Sequence, residues 1–530
     1  MPALFRNGGR GDSRRAAGDG RRSDGSGRLL RRCLYGRDCA ARGGREGFPH
    51  FAGGGRIWFR DRRVQLRGLF DGADIGVDGG GSRGTTGAAS EGGGILSEGK
   101  GESPRRGRNL RIGLIGCGVV GGGVAELLLD SDRPWEKDGV RLHLVRVADL
   151  KFPRGSRIPA KIRTHRIEDI IADPSIDVVV ELVGGTGVAN EIATSALSAG
   201  KDVVTANKAL LAERGEALFR LAGDMGREIA FEAAVGGGIP VLQNLLADVA
   251  ANRFDTVYGI LNGTTNYILT RMTEENLSFE DALSEAQQLG FAEADPTLDV
   301  EGVDAAHKIQ LLAALAFGRR VAMKKIPTKG IRRVAPLDIE YAAQLGCVIK
   351  LLAVARMVGS GLEMSVAPTL ITREHPVAGI SREINAVFLS GNRVGELLLV
   401  GRGAGRYPTA SAVVGDLIRL AQDPQPRYVR RMLAARPCDP LPPSRYRSRY
   451  YLRLTAVERP GVLAKVTGIL GRHEISIASV VQLEAGRTGR KIPVALLTHE
   501  TTAERLRKAV KEINRLDVIK GRTVVFPMVT

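Results

Sequence analysis

Hydrophobic and polar positions change rhythm abruptly at Arg111. The run Arg111-Ile112-Gly113-Leu114-Ile115 is a short stretch of β-formers that ends in glycines, and Val119 to Leu129 then carries apolar residues at helical spacing. A second strand is predicted over Leu142–Ala148, closing on Asp149. The unbroken apolar run Ile176–Val183 has the character of a strand buried on both faces. A helix over 189–199 stops at Gly200, and Asp202–Ala206 supplies a further strand. Strands alternating with helices predict an α/β unit with a doubly wound parallel sheet and right-handed crossovers.

After Gly236-Gly237-Gly238-Ile239-Pro240 the alternation loosens. Strands over Thr256–Leu261 and Leu362–Ala367 mix with long helices over Phe279–Leu289 and Val303–Phe317, which reads as an α+β substrate domain. A glycine-rich turn from Gly401 leads into an apolar helix over Ala412–Leu420 that would pack back on the first sheet. Pro424–Arg449, rich in proline and arginine, reads as a linker. From Tyr450 the order is strand (451–457), helix (462–470), strand (475–483), strand (491–498), helix (503–514) and strand (518–526). That βαββαβ order is ferredoxin-like. The expected organisation is therefore an extension over 1–108, a dinucleotide-binding unit over 109–240 completed by 395–425, a substrate and dimerisation domain over 241–394, a linker over 426–449 and a terminal unit over 450–530.

Composition alters this picture mainly at the N-terminus. Roughly half of the +19 net charge lies in the first 108 residues, with 28 of the 68 glycines, so the chain is not a uniformly basic nucleic-acid binder. This segment reads as disordered. It is too acidic for a typical transit peptide, and it lacks the interleaved aromatics of an RNA-contacting tail. A non-functional extension is the preferred reading, with organellar targeting as the alternative. The five cysteines are scattered and form no C-x-x-C pair, which fits a reducing compartment, the cytoplasm, and argues against a disulfide framework or structural zinc. No stretch approaches the ~18 continuous apolar residues of a membrane span.

The first chemical signal is Gly116-x-Gly118-x-x-Gly121, placed directly between a strand and a helix. Gly116 allows the tight turn, Gly118 lets backbone approach a pyrophosphate, and Gly121 lets helix and strand pack closely. The phosphate would rest on the free N–H groups of the helix start. Together with the sheet this is a Rossmann-type nicotinamide site. Asp149 ends the second strand, where a carboxylate would bind the ribose of NAD, yet Arg146, Lys151 and Arg154 around it suit the 2′-phosphate of NADP. The balance favours NADP with NAD tolerated.

Further on, Lys208 in Val204-Thr205-Ala206-Asn207-Lys208 lies just past a parallel strand, where ligands bind in such sheets, although a plain surface lysine has the same pattern. Glu293, Asp295, Asp299, Glu301 and Asp304 form an acidic cluster, with Lys308 four residues beyond Asp304 on the same helix face. A helix salt bridge is the ordinary reading. The carboxylate density also suits holding a substrate ammonium while the lysine gives a proton to a carbonyl oxygen. His307 reads as helix packing. Phe231 to Pro240 is a close backbone crossing or a set of carbonyl ligands for a hard cation. Asn262-Gly263-Thr264-Thr265-Asn266-Tyr267 caps a helix or touches substrate.

Taken together these segments closely resemble the homoserine dehydrogenase family, over about 110–425 and in the right order. The resemblance is carried by the glycine turn, VVTANKALL at 203–211, Glu232–Pro240, NGTTNYILTRM at 262–272, EADP at 293–296, EGVDAAHK at 301–308 and GRGAGRYPTASA at 401–412. The terminal unit, with Glu458-Arg459-Pro460-Gly461-Val462-Leu463, resembles an ACT domain, an amino-acid-sensing module. The resemblance implies NAD(P)H-dependent interconversion of L-aspartate 4-semialdehyde and L-homoserine, on the route to threonine and methionine. It implies Lys308 as general acid, Asp304 beside it, and Lys208 by nicotinamide and substrate. Glu293 would bind the substrate amino group, and Val119, Val120, Gly290 and Gly405 would line the cofactor. A sodium site is implied at Glu232, Val235, Gly237 and Ile239, mainly through backbone oxygens. A homo-oligomer and a threonine effector at the terminal unit are implied as well.

Two positions depart from the family pattern: Phe291 replaces a common tyrosine, and His307 a common arginine. Two other functions are compatible with parts of this pattern. Aspartate-semialdehyde dehydrogenase would need a cysteine nucleophile, and no motif surrounds Cys347. A non-catalytic sensor of NADP and amino acids would not need Lys308 and Asp304, and both are present.

Overall fold

The computed structural model describes residues 109–152, 155–482 and 491–529. The extension over 1–108, with Cys33 and Cys39, and Arg154 lie outside the described residues.

Six strands form the first sheet: β1 (Asn109–Ile115), β2 (Arg141–Ala148), β3 (Arg163–Thr164), β4 (Val178–Glu181), β5 (Asp202–Thr205) and β6 (Ile229–Ala230). Their spatial order is β3-β2-β1-β4-β5-β6 and every pairing is parallel. The order reverses between β1 and β4, so the crevice for a ligand opens at their C-terminal ends. All four residues of β4 and of β5 are buried, as the continuous apolar run at 176–183 requires. The strand expected there is shorter, because Val183 has already turned into a glycine loop. Helices Val119–Leu129, Val188–Ser198 and Lys208–Asp224 are the crossovers. A later helix, Arg406–Gln422, packs back beside Val119–Leu129. It begins six residues before the expected Ala412, since Pro408 stands in its first turn, where a missing N–H costs nothing.

The second sheet is longer and mixed. Its strands in spatial order are Gly395–Arg402, Ile384–Gly391, Phe254–Ile260, Cys347–Val358, Gly361–Thr372, Val524–Val529, Arg447–Val457, Lys491–Thr498 and Ile477–Gln482. The first five pair antiparallel. The last four are the ferredoxin-like unit, joined edge to edge by a short parallel pairing, Leu370 with Met528 and Ile371 with Val529. Helix Val303–Phe317 packs on strands Phe254–Ile260, Cys347–Val358 and Gly361–Thr372, and it is buried on every side from Asp304 to Ala316. A helix covered all round belongs in the middle of a core, and the buried polar side chains of its first two turns, Asp304, His307 and Lys308, stand out against its apolar second half.

The ferredoxin-like unit keeps its own core around Leu452, Val466, Leu470, Leu496 and Ile513. Its final strand begins at Val524 rather than Val518. Val518 and Ile519 instead pack into that core, with a single bridge from Ile519 to Ala456. The stretch expected to be a linker is also ordered. It carries helix Arg427–Ala434, whose Tyr428 is fully buried.

Candidate active site

The glycine turn is built as its spacing requires. Gly116 has φ +94°, and a Cβ there would lie 2.6 Å from the Leu182 carbonyl oxygen. A Cβ on Gly121 would lie 1.9 Å from the Gly116 oxygen, whereas one on Gly118 would meet no heavy atom within 4 Å. Two glycines therefore close the turn, and the third leaves the space a pyrophosphate needs. No side chain caps the helix at Gly118, so its first N–H groups are left for an anion. Val119 is exposed on the rim and Val120 is half-buried.

Opposite, β4 is followed by the loop Val183-Gly184-Gly185. Both glycines have positive φ and open space around them. Glu181, fully buried, shapes this loop: it accepts from the Val183 N–H at 2.9 Å and from the Thr205 hydroxyl at 2.7 Å, tying the ends of β4 and β5 together. Gly290 (φ +76°) has open space as well, and Gly405 (φ +116°) starts helix Arg406–Gln422. The residues present thus fit a bound dinucleotide. Asp149, at the end of β2, is held by two backbone groups. One carboxylate oxygen accepts from the Cys117 N–H inside the turn, and the other accepts from the Lys151 N–H at 2.9 Å.

Past β5, Asn207 caps helix Lys208–Asp224 by accepting from the Leu210 N–H at 3.0 Å, which sets Lys208 at the first helical position. The Lys208 ammonium lies 3.0 Å from Asp304 Oδ1. The other oxygen of Asp304 receives the Lys308 ammonium at 2.7 Å and the Asn262 amide at 2.9 Å. Lys308 also donates to the Leu261 carbonyl at 2.6 Å. Asp304 and Lys308 are both only 7% exposed. Burial alone would raise the Asp304 pKa, but Lys308 and Lys208 outweigh it and hold the carboxyl well below the usual range. Burial pushes the Lys308 ammonium below the ordinary lysine range, against the pull of Asp304. Asp304 holds Lys208 above that range, against burial.

Asn262 was expected to cap a helix or to touch substrate. Its oxygen does cap helix Gly263–Glu275, accepting from the Thr265 N–H at 2.8 Å. Its amide reaches Asp299 Oδ1 at 2.7 Å as well as Asp304. Asp299 is pushed up by burial and by the charge of Asp304. This polar chain from Asp299 through Asn262 and Asp304 to two lysines was not legible in the sequence. Its signals were separate ones, the i,i+4 pair of Asp304 with Lys308 and the N-cap pattern at Asn262, with nothing to join them. Glu293 is exposed on the loop facing this cluster, with its charge acting on Lys208. Phe291 packs against Tyr267 in a tilted pair, 4.7 Å between ring centroids, and its carbonyl accepts from the Thr264 hydroxyl at 2.7 Å. His307 is 8% exposed, and burial lowers its pKa, which keeps it neutral in the helix core.

The segment expected to hold a cation surrounds a buried acidic cluster. The Glu232 carboxylate accepts from the Leu242 and Gln243 N–H groups at 2.9 and 2.7 Å and from the Tyr428 hydroxyl at 3.1 Å. Asp416 accepts from the Glu232 N–H at 2.9 Å. Burial pushes Glu228 to about 7, Glu232 to about 8 and Asp416 to about 6, the Asp416 charge adding to the shift of Glu232. The Glu232 side chain is thus committed to protein partners. The donors left to a cation here are backbone oxygens, which suit a hard monovalent ion. Gly236 and Gly237, at φ +82° and +56°, turn that backbone sharply. The Ile239 carbonyl already accepts from the Val241 N–H at 2.8 Å and keeps a second lone pair.

Comparison with known proteins decides the family. A profile described as homoserine dehydrogenase matches residues 240–418, and one described as the homoserine dehydrogenase NAD binding domain matches 116–232. An ACT domain profile matches 450–518. The chain is 41% identical over 425 residues to a homoserine dehydrogenase of Pseudomonas aeruginosa, covering 78% of this chain and 98% of that protein. The chain belongs to the homoserine dehydrogenase family. A homoserine dehydrogenase of Synechocystis is 40% identical over 423 residues, covering 78% of this chain and 97% of that protein. The crystal structure of a homoserine dehydrogenase from Thiobacillus denitrificans superposes with a TM-score of 0.74 at 39% identity, covering 80% of this chain and 99% of that one. A hyperthermophilic archaeal homoserine dehydrogenase in complex with NADPH superposes with a TM-score of 0.50 at 25% identity, covering 59% of this chain and 97% of that one.

The activity is therefore that of a homoserine dehydrogenase, a nicotinamide-dependent oxidoreductase with an amino-acid substrate and a terminal ACT domain. The sensor-only reading gains no support. No helix among the described residues is long and apolar enough to cross a membrane.

Proposed function

We propose that Lys308 is the proton donor and acceptor of the reaction. The observation that carries this is the buried Asp304 carboxylate, which binds Lys308 on one oxygen and Lys208 on the other. In reduction of L-aspartate 4-semialdehyde, Lys308 gives a proton to the carbonyl oxygen; in oxidation of L-homoserine it takes the hydroxyl proton. Bound nicotinamide supplies or accepts the hydride. Asp304 orients both ammonium groups and keeps Lys308 from losing its proton too readily. Glu293 binds the substrate ammonium, with Asp299 held nearby by Asn262. Gly116, Gly118, Val119, Val120, Gly121, Lys208, Gly290 and Gly405 hold the cofactor.

NADP is the preferred cofactor and NAD a poorer one. Each oxygen of Asp149 already accepts a backbone N–H, and the cations Arg146 and Lys151 flank that strand end, which favours a 2′-phosphate over a free ribose hydroxyl. The archaeal relative in complex with NADPH is consistent with this preference. A sodium ion is held by backbone oxygens of Glu232, Val235, Gly237 and Ile239. Threonine acts at the ACT domain, where a cavity of about 140 Å³ is lined by Leu454, Arg459, Gly461, Val466, Gln482 and Val494. The helix start at Gly461 has no side-chain cap and suits a carboxylate. The strand Gly395–Arg402 has no partner on its outer side among the described residues, which favours a homo-oligomer. The setting is threonine and methionine biosynthesis in the cytoplasm, with 109–240 and 395–425 as cofactor unit and 241–394 as substrate unit.

The test is homoserine oxidation with NADP and with NAD, each with and without sodium and threonine. Higher kcat/KM with NADP, stimulation by sodium and inhibition by threonine are expected. A preference for NAD would overturn the reading of Asp149, and indifference to sodium that of the cation site.

A further inference from the structure

Where the terminal unit joins the catalytic sheet, the two strands pair at only two positions, Leu370 with Met528 and Ile371 with Val529. Each strand carries a proline next to those positions, Pro368 and Pro527, without the N–H that a longer ladder needs. Toward Ala367 and Phe526 the strands part, and a cavity of about 800 Å³ opens between them. That volume suits a small-molecule ligand.

The lining of this cavity is strongly one-signed. Lys329, Arg332, Arg333 and Arg522, all exposed, line it together with Glu301 as the only carboxylate. Arg332 pairs with Glu301 at 2.7 Å, which leaves Lys329, Arg333 and Arg522 without an ion-pair partner among the described residues. Three uncompensated cations around one concave space focus a positive potential into it. Guanidinium groups bind oxyanions through paired N–H donors.

The wall of the cavity is also the support of the catalytic helix. Segment 328–331 is strapped to the sheet by the Lys329 N–H donating to the Val366 carbonyl at 2.8 Å. On its other side the Ile331 N–H donates to the Val300 carbonyl at 2.8 Å, and a Cβ on Gly330 would lie 2.0 Å from that same oxygen. Val300 and Glu301 lead through Gly302 (φ +81°) into the helix that carries Asp304 and Lys308. The Arg332–Glu301 pair on the cavity wall stands three residues before Asp304.

We propose that this wedge is a binding site for a small, multiply charged oxyanion, a phosphate ester or a polycarboxylate. It lies apart from the ACT-domain cavity at Arg459 and Gly461, and it requires none of the assignments of cofactor preference, sodium or threonine.

The experiment is calorimetric titration of the full chain, saturated with NADP so that the dinucleotide site is blocked, with pyrophosphate in one arm and citrate in another at matched ionic strength. Three variants accompany it: Arg333→Ala/Arg522→Ala in the wedge, Lys329→Gln as a milder wedge variant, and Arg430→Ala/Arg436→Ala as a charge-matched control outside it. Binding of at least one anion is expected. The double wedge variant should weaken it at least about tenfold and Lys329→Gln severalfold, while the control leaves it unchanged and all variants keep the wild-type KM for homoserine. Response to pyrophosphate alone assigns a phosphate ligand, and response to citrate alone a polycarboxylate. No binding by the wild-type chain, or equal loss in the control, overturns the proposal. If the double variant does not fold, undiminished binding in Lys329→Gln overturns it.

Discussion

Lys308 stands one helical turn beyond Asp304, 2.7 Å from its carboxylate, and both side chains are more than nine-tenths buried. Opposite charges at i,i+4 on an exposed helix contribute a few tenths of a kcal/mol. In a core the same pair is retained at a desolvation cost of several kcal/mol per ion, and stability alone is a poor reason for keeping it. The second lysine on the same carboxylate and the amide of Asn262 compensate part of that cost, and they leave the Lys308 ammonium both lowered in pKa and fixed in place.

A pH dependence of the reaction follows. Oxidation needs Lys308 without its proton, so kcat for homoserine oxidation should rise with pH along a limb below the ordinary lysine value of about 10.4. Asp304 raises the Lys308 pKa against burial. Asp304→Asn should therefore move that limb to lower pH by about one unit or more, with a lower plateau. A pH–rate profile of both proteins measures this. A limb that stays in place would separate Asp304 from the proton transfer.

The glycine turn separates folding from cofactor binding. Gly121→Ala forces a Cβ against the Gly116 carbonyl and should cost ~3 kcal/mol or more of stability. Gly118→Ala meets nothing in the chain and should fold normally, yet it should weaken dinucleotide binding about tenfold, or ~1.4 kcal/mol. Thermal unfolding and a cofactor titration of each variant distinguish the two effects. Equal behaviour of the variants would mean that Gly118 does not face the pyrophosphate.

Stability should also respond to the acidic cluster. Glu228, Glu232 and Asp416 have folded pKa values of about 7, 8 and 6, all raised chiefly by burial above unfolded values near 4. The folded state holds these protons more tightly, so their contribution is complete below about pH 4 and is lost as pH rises through 6 to 8. The loss is on the order of a few kcal/mol in a buried, coupled group. Asp416→Asn removes the neighbouring charge that helps raise Glu232, and should flatten the fall in Tm between pH 5 and 8. A variant curve parallel to the wild type would remove the cluster as its cause.

What the sequence made legible was local. The strand–turn–helix around Gly116, Gly118 and Gly121, and the i,i+4 placement of Asp304 and Lys308, depend on neighbours along the chain. The parallel, doubly wound character of the first sheet follows from the alternation of strands and helices, whereas its strand order is seen only in the structure. Contacts made over long separations stayed hidden. Asn262 meets Asp304 across 42 residues, and Tyr428 meets Glu232 across 196. Tyr428 lay inside a Pro/Arg-rich stretch whose composition suggested a linker, although helix Arg427–Ala434 turns its Tyr428, Val429 and Met432 into the core. The partial edge pairing of the terminal unit with Gly361–Thr372 has no sequence signal beyond its two prolines. Asp149 was placed correctly at the end of a strand, but the turn beside it claims one of its oxygens.

The most direct measurement is turnover of Lys308→Ala in homoserine oxidation, alongside its affinity for NADP. Turnover is expected to fall about 10²-fold or more, with NADP binding within about twofold of the parent, as loss of a general acid–base group requires. Unchanged turnover in a folded, NADP-binding variant would contradict the assignment of Lys308 as the group that moves the proton.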